Sequence, residues 1–349
     1  RTPSSGLTTP ERTCSSSRRR AGSSIAHLSC PAMAVAVTPA TRIAFLGPRG
    51  TFTEEALRTQ DDLAAATLLP LGSFVEVLAA VSEGRADHGL VAIENSIEGT
   101  VPVTLDQLIF QRELLISREL VLPITQNLIG RAGTRLDEIS HVVSFPHALG
   151  QVRGWMTEHL PGAAEVAAAS TADAVRQVAD ADDGGTVAVA NRLAADVYGL
   201  EVLAERIEDH ADNATRFVLV APPGAGIPAP TGQDKTSIVC FQPDDHPGSL
   251  HGILGQFSAR DINLVKLESR PTKQGLGEYC FVIDFEGHIA DEVIKDCLRN
   301  LHATLGQVKY LGSYPVAGDH EAVRSRVQAS WDSADEWIDG LSRRVLPPG

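Results

Sequence analysis

The chain has 349 residues, room for two or three domains of ordinary size. Its 43% apolar content supports a sizeable core, and no run of about 18 apolar residues suggests a membrane span. The formal net charge of −14, from 30 Lys+Arg against 44 Asp+Glu, argues against nucleic acid or an anionic membrane as a partner. An anionic substrate would therefore need a local cluster of donors.

Cys14, Cys30, Cys240, Cys280 and Cys297 form no C-x-x-C pair and no zinc-like spacing with histidine. Scattered free thiols suit a reducing compartment, and Cys240 and Cys280 lie in apolar runs as small core residues. Residues 1–32 are rich in Ser and Arg with a single acid, Glu11, a composition resembling a transit peptide. Met33 opens a short run just ahead of the first strand, so residues 1–40 are read as a disordered or non-native extension.

From residue 42 the chain alternates apolar runs with amphipathic stretches. Strands are predicted at Arg42–Gly47, His88–Ile93, His141–Phe145, Ala164–Ala169, Thr186–Ala190 and Arg216–Ala221. Helices are predicted from Thr51, from Ser73 to Gly84, over Pro146–Leu160, over Ala174–Ala181 and over Asn191–Tyr198. Thr51-x-x-Glu54, Ser73-x-x-Glu76 and Ser170-x-x-Asp173 have the spacing of helix caps. This alternation predicts an α/β domain with mostly parallel sheets, and Leu114–Ile129 reads as an extended crossing between two lobes.

A Pro/Gly-rich linker, Pro222–Asp234, precedes a different grammar. Strand Thr236–Gln242, helix Pro247–Arg260, strands Leu264–Pro271 and Glu278–Glu286, helix Ala290–Thr304 and strand Val308–Tyr314 make a ferredoxin-like βαββαβ unit. A last helix carries an apolar stripe, Val327, Trp331, Ala334, Ile338 and Leu341, suited to core or subunit interface.

Three polar segments could carry chemistry. Gly47-Pro48-Arg49-Gly50-Thr51 leads a strand into a helix start, which can hold an anion or be only a capped turn. Glu94-Asn95-Ser96-Ile97-Glu98-Gly99 follows a buried strand, and Asn95 and Ser96 can cap a helix there or bind a ligand. Asn213-Ala214-Thr215-Arg216-Phe217 brings a hydroxyl and a guanidinium to the start of an apolar strand, where Arg216 could grip a carboxylate or a structural partner.

Taken in order, G-P-R-G-T-F-T, I-E-N-S-I-E-G-T-V and N-A-T-R-F resemble the motifs of the prephenate dehydratase family over roughly residues 42–221. H-P-G-S-L at His246–Leu250 and L-E-S-R-P at Leu267–Pro271 resemble the ligand motifs of that family's ACT domain. The resemblance implies a two-lobed catalytic domain like periplasmic binding proteins over 42–221, a linker at 222–234, an ACT domain at 235–315 and a C-terminal helix and tail at 316–349. It implies loss of water and carbon dioxide from prephenate to give phenylpyruvate. Aromatisation drives that step, so no metal or organic cofactor is expected. Thr215 would assist the departing hydroxyl and Arg216 would anchor a carboxylate. Thr51, Asn95, Ser96, Ser170 and Phe217 would line the substrate cleft. Phenylalanine would bind the ACT domain at Pro247, Gly248, Ser249, Leu250, Glu268 and Ser269 and shift the cleft to an inactive state. A cytoplasmic homodimer or homotetramer is expected. Many family members have serine-histidine-proline-glutamine where this chain reads Ser144-Phe145-Pro146-His147, so His147 is read as a helix-start surface residue. An arogenate dehydratase or a non-catalytic solute-binding protein are the alternative readings.

Overall fold

The computed structural model describes residues 37–181, 184–242, 246–273, 275, 278–317, 337, 338, 340, 341 and 343. Lobe one begins with β1 (Arg42–Leu46), α1 (Phe52–Arg58), α2 (Asp61–Ala64), β2 (Thr67–Leu71), α3 (Phe74–Ser82) and β3 (His88–Asn95). It continues through β4 (Gly99–Thr100), α4 (Pro102–Asp106) and β5 (Leu115–Pro123). The chain then crosses into lobe two, with β6 (Asn127–Gly130), β7 (His141–Ser144), α5 (Pro146–Gly150), α6 (Arg153–His159) and β8 (Ala164–Ala167). After α7 (Thr171–Asp180), β9 (Thr186–Ala190), α8 (Arg192–Tyr198) and β10 (Glu201–Ala204) it returns to lobe one as β11 (Ala214–Ala221).

The caps read from sequence are made: Thr51, Ser73 and Ser170 each accept from the amide three residues on, as does Asn191 ahead of α8. Lobe one orders its strands β2-β1-β3-β11-β5, with β4 folded back on β3. Strands β1, β2 and β3 are parallel, but β11 runs antiparallel to both β3 and β5. Lobe two orders β10-β6-β9-β7-β8, where β6 is antiparallel to β9 and β10. Both sheets are thus mixed, not mostly parallel, because β11 and β6 each enter their sheet from the opposite lobe.

Three local expectations change and one holds. The segment after Asn95 folds back as β4 and opens no helix at Ser96. Edge strands β2 and β10 were not anticipated; β2 contains Pro70, which an edge tolerates. Helix Pro146–Leu160 is broken at Gln151–Val152, where the Asp209 carboxylate caps a new helix start by accepting from Gly154 N at 2.9 Å and Trp155 N at 3.2 Å. The expected crossing at Leu114–Ile129 is real, and its two ends are β5 and β6.

Two strands of chain join the lobes side by side. Ile124 N donates to Asn213 O at 2.8 Å and Ile207 N to Gln126 O at 2.8 Å. Next comes a four-stranded antiparallel sheet, from β12 (Asp234–Phe241), α9 (Ser249–Ser258), β13 (Leu264–Pro271), β14 (Tyr279–Glu286), α10 (Glu292–Leu305) and β15 (Val308–Pro315). This is the βαββαβ unit expected. Its helices cover one face with Ile238, Phe257, Ile283, Phe285 and Leu301.

The other face packs against lobe one. Val239, Cys280, Val282, Leu311 and Tyr314 share one core with Val91, Leu108, Ile116, Val218 and Val220 of lobe one. Burial raises the thiols of Cys240 to about 12 and of Cys280 and Cys297 to about 11, as befits inert core residues. Of the predicted last helix, Val327, Trp331 and Ala334 lie outside the described residues, whereas Ile338 and Leu341 are exposed.

Candidate active site

Strand β11 alternates its side chains between two environments. Thr215 pairs with Asn95 and Arg216 with Glu94, and directly paired residues of an antiparallel ladder share a face. A bulge in β3 skips Ile93 between the Arg216–Glu94 and Phe217–Ala92 pairs. Bulges of this kind re-aim side chains beside functional sites.

On the cleft side, Asn95 organises the hydroxyl. Its Oδ1 accepts from Ile97 N at 2.9 Å and Glu98 N at 3.0 Å, which fixes the amide orientation. Nδ2 therefore donates to Thr215 Oγ1 at 2.9 Å and to Asn213 Oδ1 at 2.9 Å. Thr215 receives a hydrogen bond on its oxygen, which polarises the O–H and leaves its hydrogen to point elsewhere. Ser96 Oγ accepts from Ala214 N at 2.9 Å and lies 3.5 Å from Asn213 Oδ1. Asn95, Ser96 and Thr215, predicted separately, thus meet in one network.

Sequence reasoning missed the rest of that network. Asn213 Nδ2 donates to Gln151 Oε1 at 3.2 Å, and Gln126 Nε2 donates to the same oxygen at 3.3 Å. Buried Gln126 Oε1 has no hydrogen-bond partner among the described residues. Asn213 stood inside the N-A-T-R-F run and could have been singled out. Gln126 and Gln151 carry no local signal, because they meet only where the two crossings run together.

The other predicted residues distribute differently. Thr51 Oγ1 donates to Leu46 O at 2.8 Å and accepts from Glu54 N at 3.3 Å, so its hydroxyl is spent on the turn. The adjoining anion site is filled from within: Glu54 Oε2 accepts from Gly50 N at 2.7 Å, and Oε1 pairs with Arg49 and Arg58. Burial opposes this charge, yet Gly50 N, Arg58 and Arg49 hold the carboxyl below its ordinary value. Thr51 is accordingly a cap and not a free substrate ligand. Phe217 is 2% exposed within the lobe-one core, with no surface to offer a pocket. Ser170 is half-buried and caps α7 through Asp173 N at 3.0 Å.

Arg216 is the main correction. Its guanidinium lies on the opposite face from Thr215, where NH1 reaches Asp284 Oδ2 at 2.8 Å and Glu94 Oε2 at 3.4 Å. NH2 donates to Tyr314 Oη at 2.9 Å and Nε to Glu119. Burial would lower this group, but Tyr314, Asp284 and Glu119 hold it above its ordinary value. Such a guanidinium is not free to anchor a substrate carboxylate.

The lobes meet around this cleft. Asn191 Nδ2 donates to Glu55 Oε2 at 2.7 Å, Tyr198 Oη to Arg49 O at 3.1 Å, and His147 Nδ1 lies 3.2 Å from Glu98 Oε2. His147 is an exposed helix-start residue, as expected, stacked on Phe145. Among the described residues no His/Cys/Asp/Glu group could hold a metal, and no helix is long and apolar enough to cross a membrane.

In the C-terminal unit, Ser269 pairs with Phe281 and Glu268 with Val282, so the two point to opposite faces of the sheet. Glu268 Oε2 accepts from Thr100 Oγ1 at 2.5 Å and faces lobe one, which removes it from any pocket shared with Ser269. Ser249 Oγ donates to His246 O at 2.9 Å, closing a turn, while Leu250 packs into the helix-side core. Gly248 precedes α9 with φ +95°, and Pro247 is exposed beside it.

A hinge cleft with a polarised hydroxyl, backed by a packed βαββαβ domain, defines an enzyme of two lobes with a fused sensor-type module. The prephenate dehydratase family model matches residues 43–224, and the ACT-domain model matches residues 236–303. A prephenate dehydratase of Mycolicibacterium vanbaalenii is 43% identical over 314 residues, covering 86% of this chain and 97% of its own. The crystal structure of prephenate dehydratase from Arthrobacter aurescens in complex with L-Phe is 42% identical with a TM-score of 0.78, covering 87% of this chain and 100% of that one. GqqA, described as a novel type of quorum-quenching acylase, is 32% identical with a TM-score of 0.72, over 79% of this chain and 98% of its own. The chain belongs to the prephenate dehydratase family and carries an ACT domain.

Proposed function

We propose that this chain converts prephenate to phenylpyruvate, with Thr215 as the group that helps the ring hydroxyl leave. The carrying observation is the 2.9 Å donation from Asn95 Nδ2 to Thr215 Oγ1. In the reaction the bond from the ring to its carboxylate breaks, that electron pair enters the ring, and the ring C–O bond breaks. The departing oxygen takes up a proton and leaves as water while carbon dioxide is released. A threonine hydroxyl is a weak acid, so Thr215 stabilises the leaving oxygen by a hydrogen bond and the proton comes ultimately from solvent. Asn95 holds the hydroxyl in place, and Ser96 secures the backbone of Ala214 beside it. With Arg216 committed elsewhere, we assign a substrate carboxylate to the start of α7 at Ser170, supported by its position after β8, on the edge of lobe two that also bears the start of α8.

The catalytic domain is assigned to residues 42–221, the linker to 222–234, the ACT domain to 235–315 and the tail to 316–349, in keeping with the two family matches. L-Phenylalanine is assigned as the regulatory ligand, at Pro247, Gly248 and Ser269; the Arthrobacter aurescens structure holds L-Phe. A homodimer or homotetramer is supported by exposed Val265 and Leu267 on edge strand β13. A cytoplasmic location is supported by buried free Cys240, Cys280 and Cys297.

Purified protein incubated with prephenate, and in parallel with arogenate, tests this reading by phenylpyruvate and phenylalanine formation. Faster turnover of prephenate, suppressed by added phenylalanine, is expected. Turnover of neither substrate would refute it. Gly248→Asp sets a carboxylate against that of the amino acid and should weaken inhibition at least tenfold; unchanged inhibition would move the regulatory site elsewhere.

A further inference from the structure

Thr215 is adjacent in sequence to Arg216, which is held by two residues of the ACT domain. Arg216 sits at the centre of a buried cluster, its side chain 12% exposed against 2% for Glu119 and 4% for Asp284. Two of its contacts, Asp284 on β14 and Tyr314 on β15, belong to the ACT sheet. Those two are in turn fixed by one residue of β12: Ser237 Oγ donates to Asp284 Oδ1 at 2.6 Å and lies 2.6 Å from Tyr314 Oη. Lys235 Nζ reaches Glu119 Oε1 at 2.9 Å and completes the ring of charges.

The neighbouring strand is gripped as well. Lys266 Nζ on β13 lies 3.1 Å from Glu94 Oε2 and 2.9 Å from Thr100 Oγ1, which itself donates to Glu268. Glu94 precedes Asn95, and Asn95 holds Thr215. Both strands that carry the leaving-group apparatus are therefore held from behind, one residue away from it, by side chains of the ACT sheet.

We infer that Arg216 is a positioning residue through which the ACT sheet sets the placement of Thr215 against substrate. It touches no substrate. Its guanidinium ties β11 to Asp284 and Tyr314, and strand alternation transmits that placement to the hydroxyl on the other face. A shift of the ACT sheet moves Arg216 and Glu94 together, and with them Thr215 and Asn95. This inference rests on the dehydratase reading given above.

Kinetics of Tyr314→Phe and Arg216→Lys on prephenate, in the full chain, test it. Tyr314→Phe removes one oxygen and no charge; Arg216→Lys keeps the charge and loses the fork. Both are expected to lower kcat about tenfold with KM within about twofold, because misplacement of a reacting group acts on the transition state. A shared structural defect would appear as a lower melting temperature and loss of active protein, with kcat per active molecule preserved. Unchanged kcat in both variants would overturn the inference. So would a large rise in KM at unchanged kcat for Arg216→Lys, since it would make the guanidinium a substrate ligand. If Arg216→Lys does not fold, Tyr314→Phe decides alone. Activity of the unaltered chain is measured first: without it the dehydratase reading fails and this one with it, whereas an active parent with unaffected variants defeats this inference only.

Discussion

Thr215 and Arg216 show how two adjacent residues in one motif divide between two tasks. The strand turns each successive side chain to the opposite face, so the hydroxyl joins Asn95 in the cleft and the guanidinium joins Asp284 and Tyr314 behind it. The hydroxyl's role makes a direct demand. Thr215→Val, nearly isosteric, should lower kcat about a hundredfold with little change in KM, and Thr215→Ser should retain most activity. Steady-state kinetics on prephenate checks this, and a valine variant with near-parental kcat would remove the assigned role. Thr51 teaches the opposite lesson: a capping-box threonine in a family motif is consumed by its own turn.

At the scale of elements, the decisive contact is β15 against β5. Gly312 has φ +145°, and a Cβ there would collide with the Ile116 carbonyl oxygen. Only a residue without a side chain lets the two strands approach so closely. Gly312→Ala should destabilise the protein by about 2 to 4 kcal/mol, combining backbone strain with overpacking. Urea denaturation would show this, and an unchanged midpoint would mean that the close approach is dispensable. Cap positions, most strand and helix limits, and the βαββαβ order were legible in the sequence because each depends on local spacing. The edge strands β2 and β10 were not, since a short edge strand has no full period to display.

For the molecule as a whole, catalytic lobe and ACT sheet are one packed body with charges buried between them. Burial opposes ionisation of Glu119, yet Arg216 and Lys235 hold its carboxyl below the ordinary value; Asp106 is held down likewise by Lys273 and Arg270. A carboxyl depressed in the folded state contributes stability fully above its unfolded value of about 4 and loses it as pH falls through the folded one. Stability should therefore decline on acidification from about pH 5 towards about pH 3, with a shallower slope in Glu119→Gln. Denaturation midpoints across that range test the claim, and parallel slopes in parent and variant would refute it.

Local pattern alone determined the two-part organisation, the helix caps and the crossing at Leu114–Ile129. These follow from periodicity and residue type, which act over a few neighbours. Tertiary structure alone decided that Arg216 and Glu268 face the domain junction, that Thr51 and Phe217 serve the turn and the core, and that Gln126, Gln151 and Asn213 share the hinge. The reason is physical: a side chain's partner is fixed by which face its strand turns to and by what packs there, and residues far apart in the chain supply that partner.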